Sequence, residues 1–246
     1  MNVNCDMGEA FGSWEMGNDA ELMPLVDMAN IACGFHASDP QIMERTVKLA
    51  VQSGTSIGAH PGYPDLQGFG RRDMAIPTAD IRAMILYQVG ALDAICRANN
   101  SRMDYVKPHG ALYNRVFADR AVMAVVMQAL HDYDDQLSLL VLASPDSDAI
   151  RRLADTHKIR VQFEAFSDRA YADDGTLLSR SIAGSVYKTA EQVRAQTEQI
   201  MTQGSVTSIS GKVVRFQADT LCIHGDEPNA VQTAQVIREV IAGCSK

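Results

Sequence analysis

Short apolar runs that read as strands alternate with helical runs along this chain, and most of the strand runs end in residues that force the backbone out of a sheet. Residues 29–60 show the unit in full. ANIAC (29–33) is small and apolar, as a buried strand requires. Asp39 then stands as N-cap, with Pro40 at the first helical position. Ile42, Met43, Val47, Ala50 and Val51 recur at helical spacing, and Gly54 is the stop. A second strand (55–59) follows and runs directly into His60-Pro61-Gly62. Strand, helix and strand within about 30 residues is a βαβ unit, which demands a parallel sheet covered by helices.

Further strands are expected at 3–6, 105–107, 137–143, 161–165 and 220–223. Helices are expected at 21–26, 79–99, 118–130 and 189–203, with one opening at Ser144-Pro145-Asp146 and another at Pro228. Residues 205–216 read as a polar excursion, a hairpin candidate, and 179–188 as irregular. Seven or eight mostly parallel strands form either a closed (β/α) barrel or an open doubly wound sheet. The barrel is the expectation, as a single domain over 1–246, because titratable groups leave several strands in turn and only a barrel gathers all its strand ends at one mouth.

Those groups define the candidate site. Four of the six histidines, His36, His60, His109 and His224, lie at strand exits, whereas His131 and His157 sit in polar helix tails. Asp6, Glu9, Lys107, Glu164 and Asp226 fall at comparable positions, FSDRAY adds Asp168 and Arg169, and the loop after His60 carries the cations Arg71 and Arg72. Imidazoles, carboxylates and a lysine in one pocket can move protons, orient a water and stabilise an oxyanion. The same groups suit a divalent metal, but HExxH and HxxxH spacings are absent, so no metal is assigned.

Other features narrow the function by exclusion. A formal charge of −8 and a pI near 5.2 disfavour nucleic acid and anionic membranes as partners. No apolar run approaches the roughly 18 residues of a membrane span, and the N-terminus lacks a secretory pattern. Five cysteines without a CxxC pair point to reduced thiols and a cytoplasmic location. The phosphate-cradling GxxxxGK[ST] loop, a helix-opening GxGxxG and the GxSxG elbow are all missing.

NCDMGEAFG (4–12), ANIACGFHASDP (29–40), GAHPGYPDLQGFGRR (58–72), VKPHGALYN (106–114), EAFSDRAY (164–171) and CIHGDEP (222–228) together resemble the LamB/YcsF family, one component of a bacterial ATP-dependent 5-oxoprolinase. Met7 and Ala10 replace an expected Leu and Gly, and the run before Asn4 is short, so the first strand is expected to be clipped. The resemblance implies a barrel of the glycoside hydrolase/deacetylase type. It also implies ATP-driven opening of 5-oxoproline to L-glutamate, with two companion subunits that bind or share the ATP. On that reading His60 or His109 is the general base, aided by Asp6 or Glu9. His36 and His224 complete the catalytic group. Lys107 with Arg71 or Arg72 holds a carboxylate or phosphate, and Glu164, Arg169 and Asp226 contact substrate. Two alternatives stand beside it: a metal-dependent deacetylase or amidohydrolase acting alone, and a non-catalytic scaffold or ligand-binding subunit.

Overall fold

The computed structural model describes residues 1–227 and 229–244. Seven parallel strands close into a barrel: β1 (Asn2–Met7), β2 (Met28–Ala32), β3 (Ser56–His60), β4 (Tyr105–Val106), β5 (Ser138–Leu142), β6 (Arg160–Phe166) and β9 (Thr220–His224). Strand β9 pairs with β6 on one side and β1 on the other, which removes both sheet edges. The remaining two strands, β7 (Ser205–Thr207) and β8 (Val213–Arg215), form a separate antiparallel hairpin within the excursion at 205–216. The first strand pairs with β9 from Asn2 onward.

Helices cover the outside. They are α1 (Asp19–Leu22), α2 (Pro40–Ser53), α3 (Thr78–Ala98), α4 (Gly110–Ala118), α5 (Arg120–Tyr133), α6 (Ser147–Thr156), α7 (Ala190–Gln203) and α8 (Ala230–Cys244). Local chemistry sets their ends. The Asp39 carboxylate accepts from the amides of Gln41 and Ile42, and Gly54 ends α2 in the left-handed region at φ +68°. In α2 the apolar face is narrower than expected, because Val51 is 43 % exposed.

Three expectations change. The helix expected at 21–26 is α1 followed by a 3-10 turn at Met23–Leu25, where Pro24 has no amide to continue an α-helical ladder. The helix expected at 118–130 is α5, and a further helix, α4, precedes it. Asp119 lies between them in an extended conformation and accepts from the amides of Ala121 and Val122, so it stops α4 and caps α5. The sequence HGALYN, expected as part of a strand exit, is therefore largely helical. The expected helix opener Pro228 falls outside the described residues.

The lumen is polar where the site will form. Tyr105 donates to Asn30 Oδ1 at 2.7 Å, Asn30 Nδ2 donates to Asn4 Oδ1 at 2.8 Å, and Asn4 Nδ2 donates to Thr220 Oγ1 at 3.1 Å. These four side chains come from β4, β2, β1 and β9 and are fully buried, so the ladder satisfies groups that would otherwise be costly there. Gly58 makes room for it: a Cβ built there overlaps the Tyr105 ring. Gly58→Ala is accordingly expected to lower unfolding stability by about 1–3 kcal/mol, measured by denaturant titration, whereas Gly90→Ala, whose Cβ meets nothing within 4 Å, is expected to cost nothing.

Candidate active site

Strand register carries the functional side chains to one end of the barrel. Asp6 is in register with Asn30 on one side and His224 on the other, and His60 ends the next strand. Lys107 follows β4 directly, and Glu164 lies in β6. Above them opens a cavity of about 440 Å³. Asp6, His60, Lys107, His109, His224, Arg71 and Arg169 all line it.

Lys107 is the hub of the floor. Its Nζ lies 2.9 Å from Asp6 Oδ1, 3.1 Å from Glu164 Oε2 and 3.0 Å from Cys222 Sγ, with 3 % of the side chain exposed. Burial alone would depress its pKa, but Asp6, Cys222 and Glu164 outweigh that and hold it well above the usual range. Asp6 is the converse: burial pushes its pKa up, while His60 and Lys107 pull it well below the usual carboxylate range. Glu164 has no hydrogen bond on either oxygen despite its ion pair, and the buried Tyr113 hydroxyl has none either.

The imidazoles form a chain whose proton count is set by its ends. His60 Nδ1 donates to the Lys107 carbonyl at 2.7 Å, and His109 Nε2 donates to the Phe69 carbonyl at 2.8 Å. The remaining nitrogens, His60 Nε2 and His109 Nδ1, face each other at 3.0 Å. Two neutral rings would present two lone pairs to each other, so the network assigns the pair one additional shared proton. Burial, then the charges of His36 and His60, lower the His109 pKa, and His60 Nε2 lies 3.4 Å from Asp6 Oδ2.

A second acid–base unit faces the same cavity. His224 Nδ1 donates to Asp168 Oδ2 at 2.8 Å, which fixes the ring with Nε2 toward the cavity side as the nitrogen left to exchange a proton. Burial would raise the Asp168 pKa, but His224 and Arg169 hold it below the ordinary value.

The other expected residues are placed differently. His36 and Glu9 are buried behind His109 and do not line the cavity. The His36 ring stacks on His109 at 3.7 Å, and both its nitrogens lack hydrogen bonds. Gly62 and Gly70 permit this packing, since a Cβ at Gly62 would lie 2.5 Å from His36 Nδ1 and one at Gly70 2.7 Å from His36 Cβ. Glu9 Oε1 lies 3.5 Å from His36 Nε2 and 3.6 Å from His109 Nδ1. Burial and the charge of Asp6 raise the Glu9 pKa well above the usual range. Both residues adjoin His109 rather than the cavity. Arg72 turns away from the cavity into an ion pair with Asp65 and has a largely exposed side chain. Arg169 is tied down, its guanidinium donating to the Ser185 and Leu178 carbonyls. Asp226 pairs with Arg71 at 2.7 Å.

Among the described residues, two groups of side chains come close enough to share a cation: Glu9, His36, His60 and His109, and Asp6, Cys222 and His224. In the first, the rings of His36 and His109 are parallel to within 2°, so their in-plane lone pairs do not converge on one ion. In the second, the Lys107 ammonium already stands 2.9 Å from Asp6 and 3.0 Å from Cys222. As arranged, the donors suit a lysine-centred charge cluster better than a metal.

This is a parallel (β/α) barrel with an acid–base pocket in its mouth. The chain belongs to the LamB/YcsF family, whose model matches residues 1–245. It is 48 % identical to the A component of the 5-oxoprolinase of Chromohalobacter salexigens over 244 residues, covering 99 % of this chain and 98 % of that one. It is 49 % identical to the corresponding 5-oxoprolinase component of Vibrio cholerae over 241 residues, covering 98 % and 97 %. The crystal structure of a lactam utilization protein from Thermus thermophilus superposes with a TM-score of 0.91 at 40 % identity, covering 100 % of this chain and 97 % of that one. Among the described residues, no helix is long and apolar enough to cross a membrane.

Burial fixes a pH response. Burial and then the charge of His60 hold the His36 pKa well below its ordinary value, so the unfolded chain takes up a proton there that the folded chain refuses. The stability involved is fully present above the unfolded value of about 6.5 and is lost as pH falls through the window beneath it. His36→Gln should flatten the acid-side loss by about 1.4 kcal/mol per pH unit relative to the parent, read from unfolding free energies between about pH 6.5 and pH 5.

Proposed function

We propose that this chain opens the lactam ring of 5-oxoproline to give L-glutamate, acting on a ring activated by phosphorylation. ATP supplies the phosphoryl group and is handled by two companion subunits, because the common phosphate-cradling loops are missing from this sequence. The relatives' names supply the substrate. The observation that carries the chemistry is the presence in one cavity of a proton-bearing pair, His60–His109, and a base held by a carboxylate, His224–Asp168.

A lactam is protected by amide resonance, and a phosphoryl group on its oxygen removes that protection by making the carbon an imidate. His224 Nε2 takes a proton from water as the water oxygen bonds to that carbon. The tetrahedral carbon then carries a hydroxyl, the phosphoryl oxygen and the ring nitrogen. If the carbon–oxygen bond to phosphate breaks, the lactam returns and the ATP is wasted. If the carbon–nitrogen bond breaks, the ring opens to the acyl phosphate of glutamate. The nitrogen gains two protons, one from the His60–His109 pair and one from the hydroxyl of the tetrahedral carbon; the proton taken by His224 returns to the pair through cavity water, and a second water releases phosphate. The His60–His109 proton decides the outcome by being delivered to the nitrogen. Lys107 balances the carboxylates beneath the reacting carbon.

This predicts two distinct failures in the assembled enzyme. His109→Gln should lower glutamate formation by roughly 10²–10⁴-fold while ATP continues to be consumed, so that phosphate outruns glutamate. His224→Asn should lower both together. Equal amounts of phosphate and glutamate from His109→Gln at near-parent rates would refute the assignment. A stand-alone metal enzyme would instead turn over without ATP, and a scaffold would tolerate both changes.

A further inference from the structure

We propose that Arg180 and Arg71 form a phosphoryl receptor at the mouth of the cavity, so that the molecule this chain takes up is a phosphorylated small substrate. The identity of the ring rests on the reading above, but the anion site does not.

The cavity lining carries four cations, Arg71, Lys107, Arg169 and Arg180, against one carboxylate, Asp6. Three of these cations are paired, Lys107 with Asp6 and Glu164, Arg71 with Asp226 and Arg180 with Glu227, and of those carboxylates only Asp6 lines the cavity. The three guanidinium groups are engaged differently. Arg169 is fixed by two backbone carbonyls and forms no ion pair with a carboxylate among the described residues, so its charge remains in the cluster. Arg71 Nη2 pairs with Asp226 at 2.7 Å, and Arg180 Nη1 with Glu227 at 2.8 Å. Asp226 and Glu227 are consecutive, so one turn tethers both guanidinium groups to the same rim. The Phe69 ring lies 4.8 Å from the Arg71 guanidinium and supports it.

Arg180 supplies the decisive observation. Its Nη2 is buried yet has no hydrogen-bond partner. A buried charged donor without an acceptor is costly, and an anion in this cavity would satisfy it. Two arginine forks match a doubly charged phosphoryl group better than a single carboxylate, because each fork can donate to two oxygens. The 440 Å³ volume falls in the range of sites for ligands larger than one small lactam and leaves room for the added group. His224 and Lys107 line the same cavity, so an anion held by Arg180 shares a chamber with the proposed base.

Calorimetric titration of the full-length chain with inorganic phosphate tests the receptor directly. Saturable binding is expected, weakened at least tenfold by Arg180→Gln and less by Arg180→Lys. Glu227→Gln, which releases the other arm of Arg180, should bind phosphate at least as tightly as the parent. Absence of phosphate binding, or equal binding by Arg180→Gln and the parent, overturns the proposal. A parallel titration with ATP separates the sources: Arg180-dependent binding tighter than that of phosphate would mark a nucleotide site and also overturn it. Glutamate formation in the assembled enzyme is a separate readout. Arg180-dependent phosphate binding beside a complex that forms no glutamate upholds the receptor and removes only the lactam reading.

Discussion

A single ammonium, that of Lys107, holds the top of this barrel together. It lies among Asp6, Glu164 and Cys222, which belong to β1, β6 and β9, while Lys107 itself leaves β4. Burying these charges is expensive unless they are paired, and deleting one partner of such a pair costs about 3–5 kcal/mol. The neighbouring ladder of Asn4, Asn30 and Tyr105 extends the polar network down the lumen, and Asn30 Nδ2 also donates to Asp6 Oδ1 at 2.7 Å. Asp6 is thereby fixed by Asn30 from β2 and by Lys107 from the end of β4.

That arrangement has an electrostatic consequence for the histidines. Two carboxylates, Asp6 and Glu164, face one lysine. The shared proton of the His60–His109 pair, beside Asp6, is the second positive charge that brings the cluster to balance. The proton is therefore linked to the packing as well as to chemistry. His36 stacked behind His109 and the glycines that admit it keep the pair in a water-poor setting, where such a proton is held by geometry. On the other side Asp168 accepts from His224 Nδ1 and fixes its ring. The cavity thus has a facing imidazole pair on one wall and a carboxylate-held imidazole on another.

How much of this is legible in the sequence depends on whether a residue's position is dictated locally. The barrel is legible, because the strand–helix alternation and the capping signals of Asp39-Pro40 and Gly54 repeat a local rule. His60 and His224 are legible as strand exits because each ends a short apolar run, and the structure sets them in one cavity. The pairing of Asp168 with His224 is not, since Asp168 opens the long connection at 167–189, which has no periodicity, and its partner lies 56 residues away. Arg180 lies in the same connection, where the sequence gives only an irregular pattern. Asn30 and Tyr105 are hidden because a polar residue inside an apolar strand gives no sign of which face it occupies. Arg71 and Arg72 are adjacent yet diverge, one to Asp226 and the other to Asp65, a difference set by loop folding. The stop at Asp119 is present in the sequence as a cap, but the helix before it is masked by Pro108 and Gly110.

The protonation of the histidine pair is the point on which the account turns, and nitrogen chemical shifts report it directly. Side-chain ¹⁵N spectra of histidine-labelled protein near neutral pH, assigned through His60→Gln and His109→Gln, should show one imidazolium-like ring in the pair, with a proton bridging His60 Nε2 and His109 Nδ1. Two rings with neutral-imidazole shifts, each carrying a single proton and with none between them, would contradict it.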